Sequence, residues 1–82
     1  MFWYVYILES DRFHSVGHYY VGRTRDLSAR LARHNAGAVP HTAKFRPWHL
    51  RTAIAFDDEV RAIAFELYLK SSSGRAFSKR HF

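Results

Sequence analysis

The sequence predicts an α+β domain: a tyrosine-rich antiparallel hairpin and a third strand, with helices between and after them. Three observations carry this. An aromatic and β-branched run opens the chain at Phe2–Glu9, and a second such run follows within ten residues. Then Asp26 precedes a segment with Leu27, Arg30, Leu31 and His34 at helical spacing.

Alternation in the first strand places Trp3, Val5 and Ile7 on one face and Tyr4, Tyr6 and Leu8 on the other. Residues 10–17 read as a polar loop, and His18–Arg23 as the second strand, with Tyr20 and Gly22 sharing a face. A loop of that length between neighbouring strands predicts an antiparallel hairpin. Asp26 suits the N-cap of a helix running to about Ala36, and Gly37 suits its stop. Residues 38–47, with both prolines, read as a loop, and Trp48–Phe56 as the third strand. Asp57 or Asp58 caps a second helix running to about Lys70, ended by Ser71-Ser72-Ser73-Gly74. A short terminal helix over Arg75–Phe82, packed by Phe77, completes the chain. No repeat or linker divides it, so residues 1–82 are expected to form a single domain.

The second helix is apolar almost all round, with Val60, Ile63, Ala64 and Leu67 on one side and Ala62, Phe65 and Leu69 on another. Glu66 falls between them. Lys70 lies four residues on, so a surface ion pair is one reading of Glu66.

Bulk properties narrow the function. The 48% hydrophobic and 17% aromatic content favours a folded globule over a disordered tail. With no cysteine, disulfides and thiolate metal sites are excluded. The one histidine pair at i,i+4, His14 and His18, falls outside the expected helices, so no helical zinc pair is offered. No apolar run reaches the roughly 18–20 residues of a membrane span, and Met1-Phe2-Trp3-Tyr4 lacks a basic signal-peptide start. A cytoplasmic protein without a membrane partner is expected. Residues 23–51 hold most of the positive charge, opposed by Asp26 alone. Such a segment suits a polyanion, and Lys44 and Arg46 are its candidate nucleic-acid contacts; a solvated basic surface is the plainer reading.

The stripe formed by Leu27, Arg30, Leu31 and His34 spans roughly 100° and should face the core, yet half of it is Arg and His. Burying a guanidinium without a partner costs several kcal/mol, so Arg30 needs an anion, a cleft or both. Tyr6 and Tyr20 offer hydroxyls that donate and accept. Arg30 offers a fork suited to phosphate, His34 a proton shuttle, and Glu66 a hard oxygen ligand for a divalent cation. Singly, each has a structural reading: strand aromatic, helix-dipole partner or ion pair. Together they supply what phosphodiester hydrolysis needs.

The ordered set Tyr4-Val5-Tyr6, Tyr20-Val21-Gly22, Arg30 and His34 four apart, then Glu66 resembles the GIY-YIG nuclease superfamily, above all its small stand-alone bacterial members. The likeness covers essentially the whole chain. The first motif begins with Tyr4 where the family name has Gly. The resemblance implies a three-stranded antiparallel sheet flanked by helices, in agreement with the elements above. It implies catalytic roles for Tyr6, Tyr20, Arg23, Arg30 and His34, with Tyr6 as the base, either as phenolate or through a water. It places Glu66 as the ligand of one Mg²⁺ or Mn²⁺, and it aligns Thr42 with a loop threonine of the stand-alone group, a candidate substrate contact together with Lys44 and Arg46. It implies a metal-dependent endonuclease acting on duplex or branched DNA in repair or recombination. No attached recognition domain is expected, which leaves specificity to a protein partner. The alternative is a nucleic-acid-binding module with weak or no catalysis.

Overall fold

A computed structural model describes residues 1–12 and 17–82 of the chain. It has seven elements: β1 (Trp3–Ser10), β2 (Tyr19–Thr24), α1 (Leu27–Asn35), α2 (Pro40–Ala43), β3 (Trp48–Phe56), α3 (Glu59–Lys70) and α4 (Ser72–His81). The strands form one antiparallel sheet in the order β2-β1-β3. The loop expected over residues 10–17 lies partly outside the described residues. Ser10 still belongs to β1, and Gly17 takes a left-handed φ of 82° just before β2.

The alternation of β1 divides the core between the two sheet faces. Val5 and Ile7 pack with Ala62 and Leu69 of α3, with Phe77 and Phe82 alongside. Tyr6 and Leu8 pack with Trp48 on the other face, against Leu27 and Leu31 of α1. Asn35 joins α1 to the third strand: its side chain accepts from the Trp48 amide at 2.6 Å and donates to the Trp48 carbonyl at 3.0 Å. An extra residue in β3 shifts the register between Ile7 and Leu8, a β-bulge at Arg51.

Two expectations change. The loop over residues 38–47 contains the short α2, because Pro40 at its first position has the φ a helix start needs. The terminal helix begins at Ser72 rather than Arg75, because the Ser71 hydroxyl that follows α3 accepts from the Gly74 amide and caps α4 at once. Residue 74 therefore lies inside α4 and has to be glycine, since a Cβ there would strike the Tyr68 carbonyl. The sequence left open which side of the nearly all-apolar α3 faces the core. Ala62 and Leu69 are buried, whereas Val60 is 72% and Leu67 65% exposed. The side that carries Val60 and Leu67 faces outward, because the sheet offers this helix one surface only.

Candidate active site

The site is built on the register of β1 against β2. Tyr6 stands opposite Gly22, and a Cβ on Gly22 would collide with the Tyr6 hydroxyl. The missing side chain lets the phenol lie across β2, beneath α1. Asp26 caps that helix by accepting from the Ala29 amide, which sets the rotation that turns His34 inward.

There the Tyr6 hydroxyl lies 2.9 Å from His34 Nε2, and His34 Nδ1 lies 2.8 Å from Thr42 Oγ1. All three residues are at most 2% exposed. The direction of the chain follows from its far end. Thr42 donates to the Val39 carbonyl at 3.2 Å, and a carbonyl can only accept. Thr42 therefore accepts from His34 Nδ1–H, which leaves Nε2 to accept the Tyr6 proton. Burial, then the charges of Arg30 and Arg33, lower the His34 pKa below its ordinary 6.5, so the ring is neutral near pH 7, as this pattern requires. Trp48 Nε1–H donates to the Thr42 carbonyl at 2.9 Å, tying the short α2 to the core.

Burial, followed by the neighbouring Tyr20, pushes the Tyr6 phenol well above its ordinary value; Arg30 opposes the rise and Glu66 adds to it. The domain by itself thus holds Tyr6 as the neutral phenol, and the phenolate form of the expected base is disfavoured. Tyr20 is half-buried, its ring 4.8 Å from His34 and 6.2 Å from Tyr6. Arg30 is half-buried and pairs with no carboxylate among the described residues.

Arg23 and Glu66 lie on the other sheet face. Arg23 Nη1 meets Glu66 Oε1 at 3.1 Å, and Lys70 Nζ meets Oε2 at 2.9 Å. Glu66 therefore makes the expected pair with Lys70 and a second one with Arg23. The two halves of the constellation flank the edge strand β2, close enough for the Glu66 charge to act on Tyr6. Among the described residues no cluster of three or more His, Cys, Asp or Glu side chains could hold a metal. One carboxylate fits a hard divalent ion only as a partial ligand, the remaining positions falling to water and substrate phosphate, as Mg²⁺ commonly accepts. A bound ion would replace Lys70, whose flexible stem can withdraw.

Lys44 and Arg46 are exposed and stand apart from this chain of hydrogen bonds. The Lys44 ammonium sits 5.1 Å from the Phe45 ring, and the Arg46 guanidinium packs on Gly37 at the end of α1. Thr42 is no surface contact; it is buried as the partner of His34. Residue patterns alone did not reveal the Arg23–Glu66 pair. The one signal for it was β2 alternation, which points Arg23 toward the α3 side.

A sequence profile of the GIY-YIG catalytic domain matches residues 2–80. The structure-specific endonuclease subunit slx1 of Schizosaccharomyces pombe is 36% identical over 69 residues, covering 79% of this chain and 26% of its own length. A UPF0213 protein of Halobacterium salinarum is 37% identical over 71 residues, covering 85% of this chain and 87% of its own. Another, from Cupriavidus pinatubonensis, is 33% identical over 72 residues, covering 87% and 76%. The chain thus spans about a quarter of the slx1 subunit and most of each UPF0213 protein.

Proposed function

The chain belongs to the GIY-YIG family, and from that premise we propose that it is a metal-dependent DNA endonuclease. It hydrolyses phosphodiester bonds with selectivity for DNA structure rather than for extended sequence, in repair or recombination. The observation that carries this reading is the directed Tyr6–His34–Thr42 chain beside Arg30, a cation without a carboxylate among the described residues. The structure-specific relative supports the substrate class. A protein partner would add further specificity.

The chemistry follows from the direction of the hydrogen bonds. Tyr6 Oη takes a proton from the attacking water while passing its own to His34 Nε2, so no free phenolate forms. His34 ends as the imidazolium, held in orientation by Thr42. Arg30 offsets charge on the phosphoryl oxygens. Tyr20, whose hydroxyl has no hydrogen bond among the described residues, is placed to orient the water. Arg23 holds the Glu66 carboxylate, which with solvent and phosphate would bind one Mg²⁺ or Mn²⁺. That ion would act as a Lewis acid on the phosphate and leaving oxygen.

A panel of flap, nicked, junction and single-stranded DNAs incubated with Mg²⁺ or Mn²⁺ tests the reading. Cleavage is expected on at least one branched substrate and should vanish with chelator. Glu66→Gln should lower it at least about a hundredfold while retaining the fold and DNA affinity. One observation favours the second reading, a binding module without useful catalysis: both Glu66 oxygens are already engaged by cations. Near-normal DNA binding with no cleavage of any substrate in either metal would establish that alternative.

A further inference from the structure

On the α3 and α4 side of the sheet a pocket of about 590 Å³ opens between β2, β3 and α4. Its volume lies within the usual range for small-molecule sites. The floor is apolar, formed by Ile7, Val21, Leu69 and Phe82. Tyr19 stands at its edge, 48% exposed, with the Arg51 guanidinium 5.7 Å above its ring. Arg51 comes from the β-bulge and is fixed by Glu9 and the Phe82 carbonyl. Beside Tyr20 and Ser78, the rest of the lining is cationic: Lys70, Arg75 and Lys79. Arg75 and Lys79 pair with no carboxylate among the described residues. An apolar floor, an exposed aromatic wall and uncompensated cations together match one chemistry: a flat heterocycle carrying phosphates.

The pocket adjoins the candidate active site through Lys70. Tyr19, Val21 and Arg23 alternate onto one face of β2, and this row covers about 13 Å at the rise of a strand. Arg23 at its end meets Glu66, and Lys70 belongs to both places, bonding Glu66 and lining the pocket.

We propose that this pocket binds an unpaired nucleotide flanking the phosphate to be cut. Its base stacks on Tyr19 over the apolar floor, and its phosphates meet Lys70, Arg75 and Lys79. The position beside the cut rests on the nuclease reading; the nucleotide site itself does not. A paired base keeps its faces inside the duplex stack and cannot use the floor, so the pocket selects DNA with an unpaired strand beside the Glu66 end of β2. This gives structure selectivity a physical origin within the domain.

Fluorescence anisotropy on the full chain, in chelator so that no cutting occurs, tests this with three probes. They are oligo-dT, an abasic oligonucleotide of equal length, and blunt duplex. Oligo-dT should bind about 5- to 150-fold more tightly than the abasic strand, the range for base–aromatic stacking. Tyr19→Ala should erase most of that ratio, and Tyr19→Phe should keep it. Arg75→Gln with Lys79→Gln should flatten the oligo-dT salt slope by about 1.4, with the loss concentrated on the unpaired probes. Both changes are on exposed side chains, and melting curves would verify folding. Equal binding of abasic strand and oligo-dT would overturn the proposal, as would a ratio unmoved by Tyr19→Ala. Oligo-glutamate competing as well as oligo-dT would overturn it in favour of an acidic peptide site. Because the assay needs no turnover, inactivity toward every DNA would defeat the nuclease reading and leave this one standing.

Discussion

His34 has no exposed surface, and both of its ring nitrogens are engaged. Its proton on Nδ1 is fixed by Thr42, so the Thr42 hydroxyl governs a tautomer as well as a packing contact. Thr42→Val keeps the volume and removes the acceptor. It should cost about 1–3 kcal/mol in urea unfolding, because a buried N–H loses its partner. It should also slow single-turnover cleavage, and Thr42→Ser should restore both. The titration of His34 gives a second test. Burial lowers its folded pKa below the 6.5 of the open chain. Below about pH 6.5 the unfolded chain therefore binds more protons than the folded one, and unfolding free energy declines until the folded value is passed. Stability measured from pH 8 to pH 4 should show that decline in the wild type, and His34→Gln should reduce it. A pH dependence identical in both proteins would mean that His34 does not titrate differently on folding.

At the scale of elements, the pairing of β1 with β2 shapes the site through an absent side chain. Gly22→Ala would drive a methyl into the Tyr6 hydroxyl and the Tyr20 ring. The expected cost is about 1–3 kcal/mol, with loss of the Tyr6–His34 bond. Denaturant unfolding would give the first, and the histidine ring NMR signals the second. Helix α3 offers the opposite case. Val60 and Leu67 look like core by their spacing, yet they are mostly exposed. Val60→Lys and Leu67→Lys should each change stability by no more than about 0.5 kcal/mol, whereas Leu69→Ala should cost about 2–5 kcal/mol. Large losses from the two exposed changes would mean that another surface covers this side in solution.

For the molecule as a whole, the +6 charge is distributed unevenly along the chain. Lys44 and Arg46 lie beyond the end of α1, while Lys70, Arg75 and Lys79 rim the pocket on the α3 and α4 side of the sheet. Binding of duplex DNA should weaken with salt as phosphate contacts release counterions. Neutralising Lys44 and Arg46 together should flatten that slope by up to about 2 units in a salt titration. An unchanged slope would put the duplex path elsewhere. Among the described residues no helix is long and apolar enough to cross a membrane.

The sequence by itself determined the strands and the main helices, because these rest on local and periodic signals, and its ordered motifs carried the resemblance to the family. Alternation in β1 separates Tyr6 from Val5, the Asp26 cap starts α1, and the Asp58 cap starts α3. It also singled out Arg30 and His34, since polar residues on an inward stripe stand out against the period. Only the tertiary structure decided which side of α3 is core, that Thr42 is the partner of His34, and that Arg23 and Lys70 share Glu66. Those depend on contacts between residues 8 to 43 positions apart as well as on one local pair, and on which helix face the sheet leaves room to cover. A period shows that a residue faces inward but not what it meets there. The partner is set by strand order, by the missing Cβ of Gly22 and by the cap at Ser71, which together place α1 on one side of β2 and α3 with α4 on the other.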